Sequence, residues 1–99
     1  AGARRGILDY IEIGRGEGRV VAGGGTVPGD GYFLQPTVIA GVDSKARVFQ
    51  EEIFGPVLAV SRARDFNHAL ELANDTEYGL TGAVYSRNPE TIHRARKEF

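Results

Sequence analysis

Gly55-Pro56, set directly before the apolar run Val57-Leu58-Ala59-Val60, restricts the fold of this chain more than any other feature. Proline fixes its own φ and disfavours the α region for the residue before it, so no helix can run through this point and the chain must bend. A continuously apolar run after such a break is expected to be a strand covered on both faces by helices, which makes the fold class α/β. Just ahead of the bend, Gln50-Glu51-Glu52-Ile53-Phe54 holds adjacent carboxylates and a ring at a defined position. That order suggests a short functional segment feeding a buried strand.

The rest of the chain supplies elements to cover such a strand. Ile7, Leu8 and Ile11 recur at helical spacing among Arg5, Asp9, Glu12 and Arg15, which predicts an amphipathic helix over residues 3–14, ended by Gly14, Gly16 and Gly18. Val20-Val21-Ala22 reads as a short strand. Tyr32 to Ile39 reads as another, with Pro36 placing it at an edge or a bulge. Residues 42–47 are aperiodic and read as a loop that delivers Val48-Phe49-Gln50 to the central segment. Asp65 can cap a helix over 66–74, where Phe66, Ala69, Leu70 and Ala73 share one face. Gly79 to Tyr85 reads as a small-residue strand, and Asn88-Pro89 opens a last helix. The expected order is α-β-β-β-α-β-α, with 57–60, 66–74 and 81–85 forming a parallel βαβ unit.

Several functions are disfavoured by what the sequence lacks. A formal net charge of -1 gives no electrostatic footprint for nucleic acid. No apolar run approaches bilayer length and no basic-then-apolar leader opens the chain, so a soluble, cytoplasmic protein without membrane contact is expected. There is no cysteine, and His68 and His93 stand alone, so neither a disulfide nor a metal site is expected. Gly23-Gly24-Gly25 fits no phosphate-binding pattern: Pro28 and Asp30 stand where a dinucleotide fingerprint wants glycine and a phosphate loop wants lysine. With 99 residues the chain is at most one domain, small for an enzyme that handles a dinucleotide, and is expected to belong to something larger.

Glu51-Glu52-Ile53-Phe54-Gly55-Pro56-Val57 resembles the signature of the catalytic domain of NAD(P)-dependent aldehyde dehydrogenases. The resemblance extends through Gly31 to Thr37 upstream and Ala73 to Gly82 downstream, and so spans nearly the whole chain. Asp9 to Gly14 and Thr76 to Arg87 are most similar to the 1-pyrroline-5-carboxylate (glutamate semialdehyde) dehydrogenase branch. In that family a cysteine thiolate attacks the aldehyde, hydride passes to the nicotinamide, and a glutamate activates water to release the acid. Residues 1–99 would then be a partial catalytic domain, with the dinucleotide-binding domain, the catalytic cysteine and the general base outside it. No catalytic residue is therefore assigned within the chain.

By the same resemblance Glu52 binds the nicotinamide ribose hydroxyls and Phe54 packs beside the nicotinamide ring. The cofactor implied is NAD (or NADP) in the whole enzyme, with no tight binding to this chain alone. An ionised carboxylate is a pure acceptor suited to a vicinal diol, and a ring beside it restrains orientation for hydride transfer. On residue type alone Glu51-Glu52 is a solvated pair and Phe54 a core residue; the continuous motif favours the other reading. In an extended chain consecutive side chains point to opposite faces, so if Gln50 to Ile53 is extended, Glu51 is expected to face scaffold and pair with a cation or backbone amides while Glu52 faces the cofactor side. The expected partners are a small-molecule aldehyde and further copies of the chain, since a piece of a larger domain leaves apolar faces uncovered. The alternative is a self-sufficient small α/β binding module without catalysis.

Overall fold

The computed structural model describes residues 2–29, 31 and 33–99, which fall into two compact units, Ala1–Ser61 and Arg62–Phe99. The first unit begins with α1 (Gly2–Glu17), followed by β1 (Arg19–Ala22), β2 (Thr37–Ala40), the single-turn α2 (Arg47–Gln50) and β3 (Val57–Ala59). β2 is central: it pairs antiparallel with β1 and parallel with β3, with Val38 opposite Leu58 and Ile39 opposite Ala59. A bulge between Val20 and Ala22 shifts the β1 register.

α1 outruns its expected end at residue 14, because Gly14 serves packing rather than termination. Its buried face is Ile7, Ile11 and Gly14, and a Cβ on Gly14 would collide with Ile39 Cδ1 and lie 3.3 Å from Val48 Cγ1. The missing side chain is what lets the helix approach the sheet and α2. The helix stops at Gly18, whose N–H donates to the Gly14 carbonyl at 2.8 Å. Ile39, Val42 and Val48 form the core, fully or nearly fully buried, with Tyr10, Ile13, Phe49, Ile53 and Val57 packed around them.

Four expectations about strands require correction. The strand expected over 32–39 is confined to Thr37–Ala40, since Pro36 has no N–H to pair; Tyr32, at its expected start, lies outside the described residues. β3 is not covered on both faces: Leu58 is 59% exposed, because α1 and α2 lie against the face that carries Ile39. The parallel pair joins β2 and β3, connected through α2, rather than β3 and residues 81–85. Residues 81–85 carry no strand, because no described segment pairs with them and a strand exists only in a ladder. The observed order is α-β-β-α-β-α-α, still α/β, over a mixed rather than a parallel sheet.

The second unit holds α3 (Phe66–Asn74) and α4 (Pro89–Glu98), both opened as the sequence expects. Asp65 accepts from the His68 N–H at 2.8 Å, and Asn88 accepts from the Glu90 N–H at 2.9 Å with Pro89 in the first turn. Leu70 and Ala95 are buried, Arg94 lies over the Phe66 ring, and Asn74 Nδ2 donates to the Glu98 carbonyl at 2.7 Å.

Two helical glycines of α1 separate propensity from packing. Gly6 has open space around it, so Gly6→Ala is expected to stabilise the chain by roughly 0.5–1 kcal/mol. Gly14→Ala gains the same propensity but overpacks a buried site, at roughly 1–3 kcal/mol, and is expected to be net destabilising. Urea midpoints of the two variants should move in opposite directions; movement in the same direction would discard the close-approach reading of Gly14.

Candidate functional site

The segment that carries Glu52 and Phe54 is pinned at both ends, and α1 supplies part of each pin. At the upstream end, the Glu17 carboxylate accepts from the backbone N–H groups of Arg47 (2.8 Å) and Val48 (3.1 Å) and so satisfies the open amides of α2. α2 closes with the Glu51 N–H donating to the Arg47 carbonyl at 2.8 Å, and Glu51 turns extended, with φ -99° and ψ 148°.

The Glu51 side chain folds back into a clamp. Arg47 Nε and Nη2 donate to its two carboxylate oxygens at 2.8 and 3.1 Å, a bidentate fork. The Tyr10 hydroxyl on α1 donates to Oε1 at 2.9 Å, and the Arg47 guanidinium lies 5.8 Å from the Tyr10 ring centroid. The charge-assisted bonds from Arg47, and then the one from Tyr10, hold the Glu51 carboxyl below the usual carboxylate range. In return the Glu51 carboxylate raises both the Tyr10 phenol and the Arg47 guanidinium above their ordinary values. Glu51 thus faces scaffold and a cation as expected, but the contact comes from i,i+4 spacing at the end of α2, since Gln50 is helical rather than part of an extended run.

Glu52 is exposed, and among the described residues nothing donates to its carboxylate. With Glu51 matched by Arg47, Glu52 is the uncompensated negative charge of the segment. Phe54 is 86% exposed and adopts φ 59°, the left-handed region that a bulky side chain rarely enters. It is not the core residue that its type alone suggests. Such a conformation persists only where the surroundings impose it, and it occurs preferentially where a ligand is held.

Imposition comes from the downstream end. Gly55 lies so close to the buried Ile7 of α1 that a Cβ there would sit 2.6 Å from Ile7 Cδ1. The Pro56 carbonyl accepts from Thr37 N at 2.8 Å, which ties the bend to β2. Between the pins Ile53 packs against the core, so an acceptor-only carboxylate and an exposed ring flank a fixed residue.

Tyr10, Glu17, Arg47 and Ile7 escape sequence reasoning. The i,i+4 spacing of Arg47 and Glu51 is a signal that could have found one contact. Tyr10 meets Glu51 across 41 residues of sequence, which leaves no local trace. Elsewhere, His68 Nδ1 accepts from the Arg64 N–H, and no group of described residues could hold a metal ion. A groove in the second unit, floored by Gly82, Ile92, Ala95 and Phe99, has no carboxylate or histidine in its lining. No helix among the described residues is long and apolar enough to cross a membrane.

A profile of the aldehyde dehydrogenase family matches residues 1–99. The 1-pyrroline-5-carboxylate dehydrogenase of Geobacillus thermodenitrificans is 59% identical over 98 residues, covering 99% of this chain and 19% of that protein. That of Bacillus subtilis is 57% identical over 93 residues, covering 94% and 18%. The solved structure of a Thermus 1-pyrroline-5-carboxylate dehydrogenase with bound NAD superposes with a TM-score of 0.97 at 58% identity, over 99% of this chain and 19% of that one. An indole-3-acetaldehyde dehydrogenase of P. syringae in complex with NAD+ gives 0.95 at 37% identity, over 99% and 20%. The chain therefore spans about a fifth of the length of the relatives it matches.

The clamp has a pH signature. Glu51 has a folded pKa below its unfolded value, so its contribution is complete above the ordinary carboxylate value of 4.5 and is lost as pH falls through the folded value. Glu51→Gln should therefore lower the urea midpoint at pH 7, with the gap to the parent chain closing from about pH 5 downward. A gap that stays constant into acid would mean that the ionised form of Glu51 contributes nothing to folding.

Proposed function

Because the chain belongs to the aldehyde dehydrogenase family, we propose that it forms the nicotinamide-side part of the catalytic domain of an enzyme that oxidises 1-pyrroline-5-carboxylate, as glutamate semialdehyde, to glutamate. The observation that carries this reading is the pairing of a carboxylate at Glu52, without a donor among the described residues, with an exposed ring at Phe54, held at φ 59° by contacts on either side. The names of the relatives with 56–61% identity support the substrate, and the NAD in a matching structure supports the cofactor class, NAD or NADP.

Glu52 would accept hydrogen bonds from the two ribose hydroxyls, which an acceptor-only group can do without rearranging. Phe54 would present its face to the nicotinamide and limit the ring's rotation, and orientation of this kind lowers the barrier through positioning. When bound, the nicotinamide would take up the hydride of the aldehyde carbon. Glu51 would take no direct part, since its oxygens are occupied by Arg47 and Tyr10. The thiolate nucleophile, the water-activating carboxylate and the dinucleotide-binding domain would come from segments outside these residues. The whole enzyme would be a cytoplasmic homo-oligomer, consistent with Leu80 at 99% and Tyr85 at 95% exposure, apolar surface that the remainder of a longer protein would cover. The same surface disfavours a self-sufficient binding module.

Two outcomes are expected. The 99-residue chain alone should give no aldehyde-dependent reduction of NAD or NADP above a buffer blank. In a full-length enzyme carrying this segment, Glu52→Gln keeps the shape and removes the charge, and should raise the cofactor KM by about tenfold or lower the hydride-transfer rate comparably. Unchanged cofactor kinetics in that variant would refute the assignment of Glu52.

A further inference from the structure

The clamp and the Gly55 contact share an origin that the roles of Glu52 and Phe54 do not require. Ile7 and Tyr10 are three residues apart on α1, so they project from one helical face one turn apart. Ile7 meets Gly55 immediately after Phe54, and Tyr10 meets Glu51 immediately before Glu52. A rigid helix therefore brackets a three-residue segment, Glu52-Ile53-Phe54, from both sides. A third contact from the same helix, Glu17 on the amides of Arg47 and Val48, orients the single turn that presents Arg47 to the clamp. The segment itself has little to hold it: among the described residues Glu52 makes no side-chain hydrogen bond, Phe54 is exposed, and Ile53 packs inward.

From this bracket we infer that Tyr10 is a positioning residue for cofactor binding, acting through Glu51 to hold Glu52 and Phe54 where the nicotinamide end of the cofactor docks. The inference rests on the cofactor-side reading of Glu52 given above. Tyr10 touches neither substrate nor cofactor in it. Its hydroxyl, together with the Arg47 fork, ties the Glu51 carboxylate to α1, and so restrains the chain where it leaves α2 and runs into Glu52. A displacement of even part of an ångström in a group that orients a reactant is felt in binding and rate.

The test uses a full-length enzyme that carries this segment, with Tyr10→Phe, Glu52→Gln and the double variant. Tyr10→Phe deletes one oxygen and leaves the ring under Arg47 in place. Expected is a roughly three- to tenfold rise in cofactor KM, and in the NADH dissociation constant from fluorescence titration, with the aldehyde KM unchanged. In the Glu52→Gln background Tyr10→Phe should add less than it does alone, because one of the two side chains it positions has lost its acceptor charge. A merely structural role would lower the melting temperature without splitting the two KM values. If Tyr10→Phe does not fold, Arg47→Lys, which keeps the charge but loses the bidentate fork, serves with the same readout. The inference is overturned if Glu52→Gln raises the cofactor KM while Tyr10→Phe leaves it unchanged, or if the effects of the two simply add. A silent Glu52→Gln instead removes the cofactor reading itself, and this inference with it, which keeps the two failures distinct.

Discussion

The packing of α1 against β2 and α2 is the constraint on which the first unit depends. Its apolar face is narrow: Ile7 and Ile11 bury side chains, and Gly14 contributes the absence of one. That absence lets the fully buried Ile39 seat beneath the helix and brings Val48 of α2 against it. Once the helix lies this close, its other residues reach the loop beyond α2. Ile7, Tyr10 and Glu17 then touch Gly55, Glu51 and the α2 amides from positions set by the helical repeat. A few contacts in the core thereby determine geometry at an exposed segment.

Electrostatics divides two neighbouring carboxylates that look equivalent on paper. Glu51 is neutralised by a bidentate Arg47 and a phenol, and its ionised form is favoured as a result. Glu52 is exposed, and no described residue donates to its carboxylate. A bound diol would meet a carboxylate that needs no partner displaced, beside an aromatic face already turned outward. Phe54 at φ 59° is the strained member of this arrangement, and strain at an exposed aromatic is maintained by the pins on either side rather than by its own packing.

The second unit shows the opposite balance. α3 and α4 are well capped, yet Leu80 and Tyr85 stand almost fully exposed between them. Local signals suffice for helices, whose hydrogen bonds close within the segment. A strand needs a partner, and residues 81–85 have none among the described residues. The relatives that this chain matches are about five times as long, which accords with apolar surface of this kind being left uncovered here.

The sequence by itself determined the α/β class, both helix caps of the second unit, the bend at Gly55-Pro56 and the family, the last through a contiguous motif rather than a pattern of polarity. The pairing of Glu51 with a scaffold cation was legible as well, although it rests on the i,i+4 spacing to Arg47 on α2 rather than on alternation along an extended chain. Only the tertiary structure decided that Gly14 is a packing contact instead of a helix stop, since the reason lies in Ile39 and Val48, far along the chain. Only there do Tyr10 and Ile7 become neighbours of the Glu52–Phe54 segment. The mixed sheet and the parallel pairing of β2 with β3 were hidden for the same reason: ladders are made between segments, and one strand's residues do not say which neighbour it takes.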